Sequence, residues 1–216
     1  MIFLKKTLLL SSVLALASAS FAHADTIFTL TNDGCTGTCG TPTSLGAGVF
    51  AIVDISQTTA NEVTVTETLA SHEGFVKTGA GDALEFNINP IVGAVTIGGL
   101  TTDFSNNGAD KGSTFGKFLD SVACSGCGKG SSSTLPGPLT FTVSATGITA
   151  ADFIANSDGN FFAADIMGLN GKTGNVGDGG PGVPTGGSPV PEPSSLLLLG
   201  TGLVGAAGMV RRRLFA

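Results

Sequence analysis

A mostly β, Gly-rich sandwich of jelly-roll-like character is the fold the sequence predicts, and three observations predict it. The 216-residue chain holds 33 Gly and 14 Phe but no Trp and no Tyr, so aromatic burial rests on Phe alone. Glycine at that abundance supplies many turns with positive φ at little steric cost. Short runs alternate apolar with hydroxyl, amide or carboxyl side chains at period 2, and Gly or Pro lies close to several of them. Strands at this spacing with Gly-rich turns suit a β-sandwich better than a helical bundle.

Taken in chain order, residues 26–31 form a weaker strand candidate. Residues 49–55 are apolar on both faces except for Asp54, the pattern of a central strand. Val63, Val65 and Leu69 alternate with Thr64, Thr66 and Thr68, and Glu67 interrupts the apolar side. Leu84, Phe86 and Ile88 alternate with Glu85, Asn87 and Asn89, which predicts a half-buried strand with three polar residues facing out. Residues 94–97 and 117–123 are weaker candidates. Leu139, Phe141 and Val143 then alternate with Thr140, Thr142 and Ser144. Thr149-Ala150-Ala151-Asp152 is the one helical hint, a single turn capped by Thr149 or a neighbour, and residues 161–166 give the last strand candidate.

Both ends read as routing signals. Lys5 and Lys6 precede an apolar run over 8–17, and Ala22-His23-Ala24 places small residues at −3 and −1 before Asp25. That order predicts a secretory signal peptide over 1–24, cut by signal peptidase between Ala24 and Asp25. At the other end, 196–210 is an uncharged, mostly apolar segment that would span about 22 Å as a helix, short for a bilayer. Arg211, Arg212 and Arg213 would hold its far end on the cytoplasmic side, the side Lys5 and Lys6 also prefer. The two ends therefore agree on placing everything between them outside. The body between Asp25 and Val190 has five Lys against 11 Asp and four Glu, a net charge of −10. Nucleic acid is a poor partner for such a surface, because its affinity comes from cations that neutralise phosphates.

Pro191-Glu192-Pro193, the apolar helix at 196–210 and the terminal Arg211–Arg213 cluster occur in that order at the extreme C-terminus. Together they resemble the PEP-CTERM sorting tail, over roughly residues 190 to 213. The resemblance implies recognition at Pro191, Glu192 and Pro193 and cleavage by a membrane protease of the exosortase type. It also implies Arg211 to Arg213 as the basic stop, and a Gram-negative producer that makes extracellular polysaccharide. An uncut C-terminal anchor is the competing reading. The expected organisation is a signal peptide at 1–24, a β-rich extracytoplasmic domain at 25–174, a Gly/Pro spacer at 175–189 and the sorting tail at 190–213. The protein would pass through the inner membrane and finish on the outer surface or outside the cell. The middle domain also resembles, in texture alone, the Gly-rich β domains that such proteins carry.

Four cysteines fall in two local pairs, Cys35 with Cys39 and Cys124 with Cys127. An even count in an exported chain points to disulfides. Local pairing is preferred, since each pair sits in a Gly-rich loop; pairing between the two clusters is the alternative. A four-cysteine zinc site needs free thiolates, which an oxidising compartment disfavours. Redox exchange at Cys124-Ser125-Gly126-Cys127 wants a helix starting at the first cysteine, and Gly126, Gly128 and Gly130 oppose one.

No catalytic constellation stands out. His72 is the single histidine after the signal peptide, no G-x-S-x-G elbow follows Ser71, and Ile166 stands where a P-loop ending at Gly171-Lys172-Thr173 needs glycine. Asn156–Asn160 begins like a calcium loop, but Phe161 and Met167 occupy the positions that require Gly and Glu. A looser Ca²⁺ site using Asp158 and Asp165 is one alternative to a solvated turn, and otherwise no cofactor is expected. The reading is thus an exported, non-catalytic surface or matrix protein associated with exopolysaccharide. Its alternatives are a carbohydrate- or Ca²⁺-binding β-sandwich module and a secreted hydrolase with two converging carboxylates.

Overall fold

Apolar side chains that recur every second residue must share one face of an extended strand, and that face seeks a partner sheet. The computed structural model describes residues 25–109, 114–178 and 201–202. The strands belong to the unit Ala24–Pro189. In the second unit, Met1–His23 with Val190–Ala216, Thr201 and Gly202 are described and are helical. The expected signal peptide, the 196–210 helix and the sorting tail otherwise lie outside the described residues. Among the described residues no helix is long and apolar enough to cross a membrane.

Thirteen strands are formed among the described residues: β1 (Thr26–Leu30), β2 (Asn32–Cys35), β3 (Ala51–Thr59), β4 (Glu62–Leu69), β5 (Gly74–Lys77), β6 (Leu84–Phe86), β7 (Thr96–Gly98), β8 (Phe104–Asn106), β9 (Asp120–Cys124), β10 (Gly130–Leu135), β11 (Leu139–Ser144), β12 (Phe162–Met167) and β13 (Thr173–Gly177). The first sheet has the order β1-β3-β4-β11-β7, antiparallel throughout. The second runs β10-β5-β12-β6-β9-β8, with β13 beside β12 and β2 beside β13. Neither sheet closes on itself, and both contribute to one apolar core, a sandwich-like arrangement. Phenylalanines join the two layers. Phe86 of β6 stacks on Phe141 of β11 with centroids 5.6 Å apart, and Phe28 of β1 lies 4.8 Å from Phe162 of β12. Such ring pairs add about 0.5–1.5 kcal/mol each beyond the area they bury.

In the first sheet the alternation survives intact. Val63, Val65 and Leu69 of β4 and Leu139, Phe141 and Val143 of β11 are buried, while Thr64, Thr66, Thr140 and Thr142 are half-exposed on the outer side. Glu67 does point into the core side, flanked in register by Val53 and Leu139. Residues 49–55, expected as a central strand, supply most of β3, which lies between β1 and β4. β3 is an interior strand, but Ile52 and Asp54 are only half-buried because nothing in the pairing covers that side.

The second sheet departs further from the pattern. β5 and β6 both pair with the same side of β12, β5 with Ile166 and Met167 and β6 with Phe162 and Ala163. They are one line of strand interrupted by an excursion over 78–83. The Asp165 N–H donates to Asp82 O at 2.8 Å where the line is broken. Glu85 and Asn87, expected to face out, are buried instead: the excursion covers Glu85, and Asn87 Oδ1 accepts the Leu119 N–H at 2.7 Å. β13 brings a second correction. Asn175, Val176 and Gly177, assigned by composition to the spacer, are buried strand residues paired with β12 and β2. Glycine makes that pairing feasible: a Cβ at Gly174 would lie 2.6 Å from Cys35 Cα, and one at Gly34 would lie 2.7 Å from Asn175 O. The single-turn hint at Thr149 is a 3-10 turn over Ala150–Asp152, with the Thr149 N–H and hydroxyl both donating to Asp152 Oδ2.

Candidate functional site

Cysteine pairing is local. Cys35 is bonded to Cys39 and Cys124 to Cys127, each with a Cα–Cα distance of 5.4 Å. Asp33 organises the first clasp: its Oδ1 accepts the Cys35 N–H at 2.9 Å, and its Oδ2 accepts the Cys39 N–H at 2.8 Å and the Thr38 hydroxyl at 2.7 Å. Asp33, Cys35 and Cys39 thus bring metal-ligand atom types together. Their sulfurs are spent in the disulfide, so they are not the thiolates zinc requires.

The remaining expected residues are dispersed. Asp25 is exposed at the start of the described chain. His72 is exposed in a turn at φ 70°. Glu73, next to it, is buried, and burial together with the negative charge of Asp33 pushes its carboxyl up to about 8. Glu67 is fully buried with neither oxygen hydrogen-bonded, and desolvation holds its carboxyl well above the ordinary range. Asp178 accepts the Phe161 N–H, yet its burial still raises it to about 6. Asp158 is exposed in the Asn156–Asn160 turn, where Asn156 Oδ1 accepts the N–H groups of Asp158 and Asn160 at 3.0 Å each. Asp165 instead is fully buried in β12. The two carboxylates therefore occupy different settings. The sorting residues Pro191, Glu192, Pro193, Arg211, Arg212 and Arg213, and Ala22 and Ala24 of the cleavage site, lie outside the described residues.

Polar groups converge on the outer face of the second sheet, beneath the 78–83 excursion. Asp165 of β12 and Asn175 of β13 are directly opposed in register, and Glu85 of β6 pairs with Ala163 on the other flank of β12. Opposed and diagonal neighbours on one face are within reach of each other's side chains. Asp165 Oδ2 accepts the Thr78 N–H at 3.0 Å and the Thr78 hydroxyl, and Glu85 Oε1 accepts the Asp82 N–H at 2.9 Å. Asp82 Oδ2 in turn meets the Ser121 hydroxyl and accepts Asn107 Nδ2 at 2.8 Å. Gly81 roofs the cluster so closely that a Cβ there would overlap both Glu85 Oε1 and the Asn175 amide. Sequence reasoning found Asp165 but missed Glu85 and Asn175. Alternation assigned Glu85 to solvent, and composition assigned Asn175 to a spacer.

The tail supplies the identification. An exported β-rich chain with local disulfides is the class that the described domain and the C-terminal tail support. Residues 189–213 match the family model of the PEP-CTERM protein-sorting motif, so the chain carries that motif at its C-terminus. The match supports an exported protein that is sorted at this end and implies processing by an exosortase-type protease. No curated protein and no solved structure matches the chain.

Proposed function

We propose that this chain is a non-catalytic cell-surface or extracellular matrix protein, delivered by a signal peptide at 1–24 and cut near Pro191-Glu192-Pro193. The observation that carries the reading is the sorting-motif match at 189–213. The 196–210 helix serves as a membrane hold during processing, and its short span suits a transient stay better than a permanent one. The domain it releases is a jelly-roll-like sandwich that associates with exopolysaccharide. Favouring that association is the outer face of the first sheet, where Thr64, Thr66, Thr140, Thr142 and Ser144 set half-exposed hydroxyls side by side across two paired strands. The same face carries Glu62, whose Oε2 accepts the Ser144 hydroxyl at 3.1 Å, and Asp54 opposite Thr66, so it suits a neutral polyhydroxylated polymer better than an acidic one.

The test is the intact mass of the protein recovered from its native host's envelope and medium. A chain that begins at Asp25 and ends near Pro191-Glu192-Pro193 is expected. Recovery of a membrane-bound species that keeps Arg211 to Arg213 as the end product would overturn the processing step.

A further inference from the structure

We propose that Glu85, Asp165 and Asn175, roofed by the 78–83 excursion, form a Ca²⁺ site. Asn175 points to the ligand. It is 1% exposed, and neither Nδ2 nor Oδ1 has a hydrogen-bond partner. A buried amide left in that state costs about 1–3 kcal/mol for each group. Its amide end sits beside Glu85 Oε1, since both crowd the same point below Gly81. Across the strand pair stands Asp165, fully buried, with Oδ2 held by Thr78.

Two carboxylates and an amide carbonyl are hard oxygen donors, the ligand set that Ca²⁺ selects. Which amide atom of Asn175 faces the carboxylates is a matter of rotamer assignment, and a bound cation turns Oδ1 inward. Further oxygens come from the excursion, whose Asp82 is already tied to the cluster through its backbone N–H. The three side chains issue from three adjacent strands, so the sheet fixes their spacing and the loop closes the remaining side. Mg²⁺ fits less well, because it requires near-octahedral geometry at about 2.0–2.1 Å and gives up its waters reluctantly. Asp158, exposed in its own turn, takes no part. This site is independent of the sorting reading, and neither result bears on the other.

The experiment uses the full-length chain with its disulfides intact, stripped with EGTA and titrated with CaCl₂ and, separately, MgCl₂ by calorimetry. One Ca²⁺ per chain is expected, with a Kd of roughly 0.1–1 mM as in extracellular modules, and weaker Mg²⁺ binding. Asn175→Leu removes the amide while keeping the side-chain volume close. It should weaken Ca²⁺ binding roughly tenfold or more, whereas Asp158→Asn should leave it unchanged. Thermal unfolding in EGTA shows that each variant is folded before its titration is read. Absence of a Ca²⁺ response in the wild-type chain overturns the site. Unchanged affinity in Asn175→Leu likewise overturns the assignment.

Discussion

The outer faces of the two sheets are built on opposite terms. On the first sheet nothing in the strand pairing covers the threonines of β4 and β11, so each strand reads as a clean alternation of buried and half-exposed residues. On the second, five of the six residues of β12 are buried, because on the outer side the 78–83 excursion covers Asp165 while Phe115 and Phe118 pack on Ala163. The difference shows how a sheet acquires an internal polar site. A loop that leaves a strand line and returns to it can bury side chains that the pleat directs toward water.

Three measurements break or sharpen this contrast, and the largest effect is expected at Asp165. Asp165→Ala removes the acceptor of two donors on half-buried Thr78, at a cost of roughly 1–3 kcal/mol. Urea unfolding in the presence of EGTA measures this without any contribution from bound metal. A loss under about 0.5 kcal/mol would mean that the excursion is not anchored there.

A second measurement addresses Glu73, where the chain crosses from β4 to β5. Its folded-state carboxyl is raised from 4.5 to about 8, chiefly by burial and then by Asp33. The fold therefore favours the protonated acid. The stability this contributes is fully present below about pH 4.5 and is lost as pH rises through about 8. Glu73→Gln should flatten the fall of Tm across that window and leave the portions due to Asp178, raised to about 6, and to Glu67, held well above the ordinary range. Parallel Tm–pH curves for wild type and variant would show that Glu73 is solvated in the native state.

The smallest effect belongs to the uncovered face. Thr66→Ala should change stability by no more than about 0.5 kcal/mol, since its hydroxyl meets Thr140 only at 3.4 Å and water is at hand. Chemical denaturation of Thr66→Ala beside Asp165→Ala gives the contrast directly. Equal losses would mean that the two outer faces do not differ in kind.

How far the fold could be read in advance follows the same division. β4 and β11 were legible because one wet face preserves the period-2 signal, with Glu67 as the break in it, and β3 was legible as an apolar run broken by Asp54. β2 and β13 were not. Asn32-Asp33-Gly34-Cys35 and Thr173-Gly174-Asn175-Val176-Gly177 have the composition of turns, and only close backbone approach at Gly34 and Gly174 makes them strands. The excursion escaped notice for a related reason. Residues 78–83 read as an ordinary Gly-containing loop, and nothing local tells such a loop to fold back over its own sheet. The sorting tail stood at the other extreme, legible in full, because a motif read by a protease is written in consecutive residues.

The local disulfides have a mechanical consequence. Their sequence separations are only 4 and 3 residues, so they close small loops and tie no distant parts of the chain together. Pulled from its two ends, the oxidised domain would withhold only about 13 Å of length at roughly 3.4 Å per residue, since each bridge itself spans 5.4 Å, out of about 520 Å between Asp25 and Asp178. Resistance to stretching then rests on the sheets alone. A tethered copy would yield almost its whole contour under load and could recover it by refolding, with no covalent bond having to break.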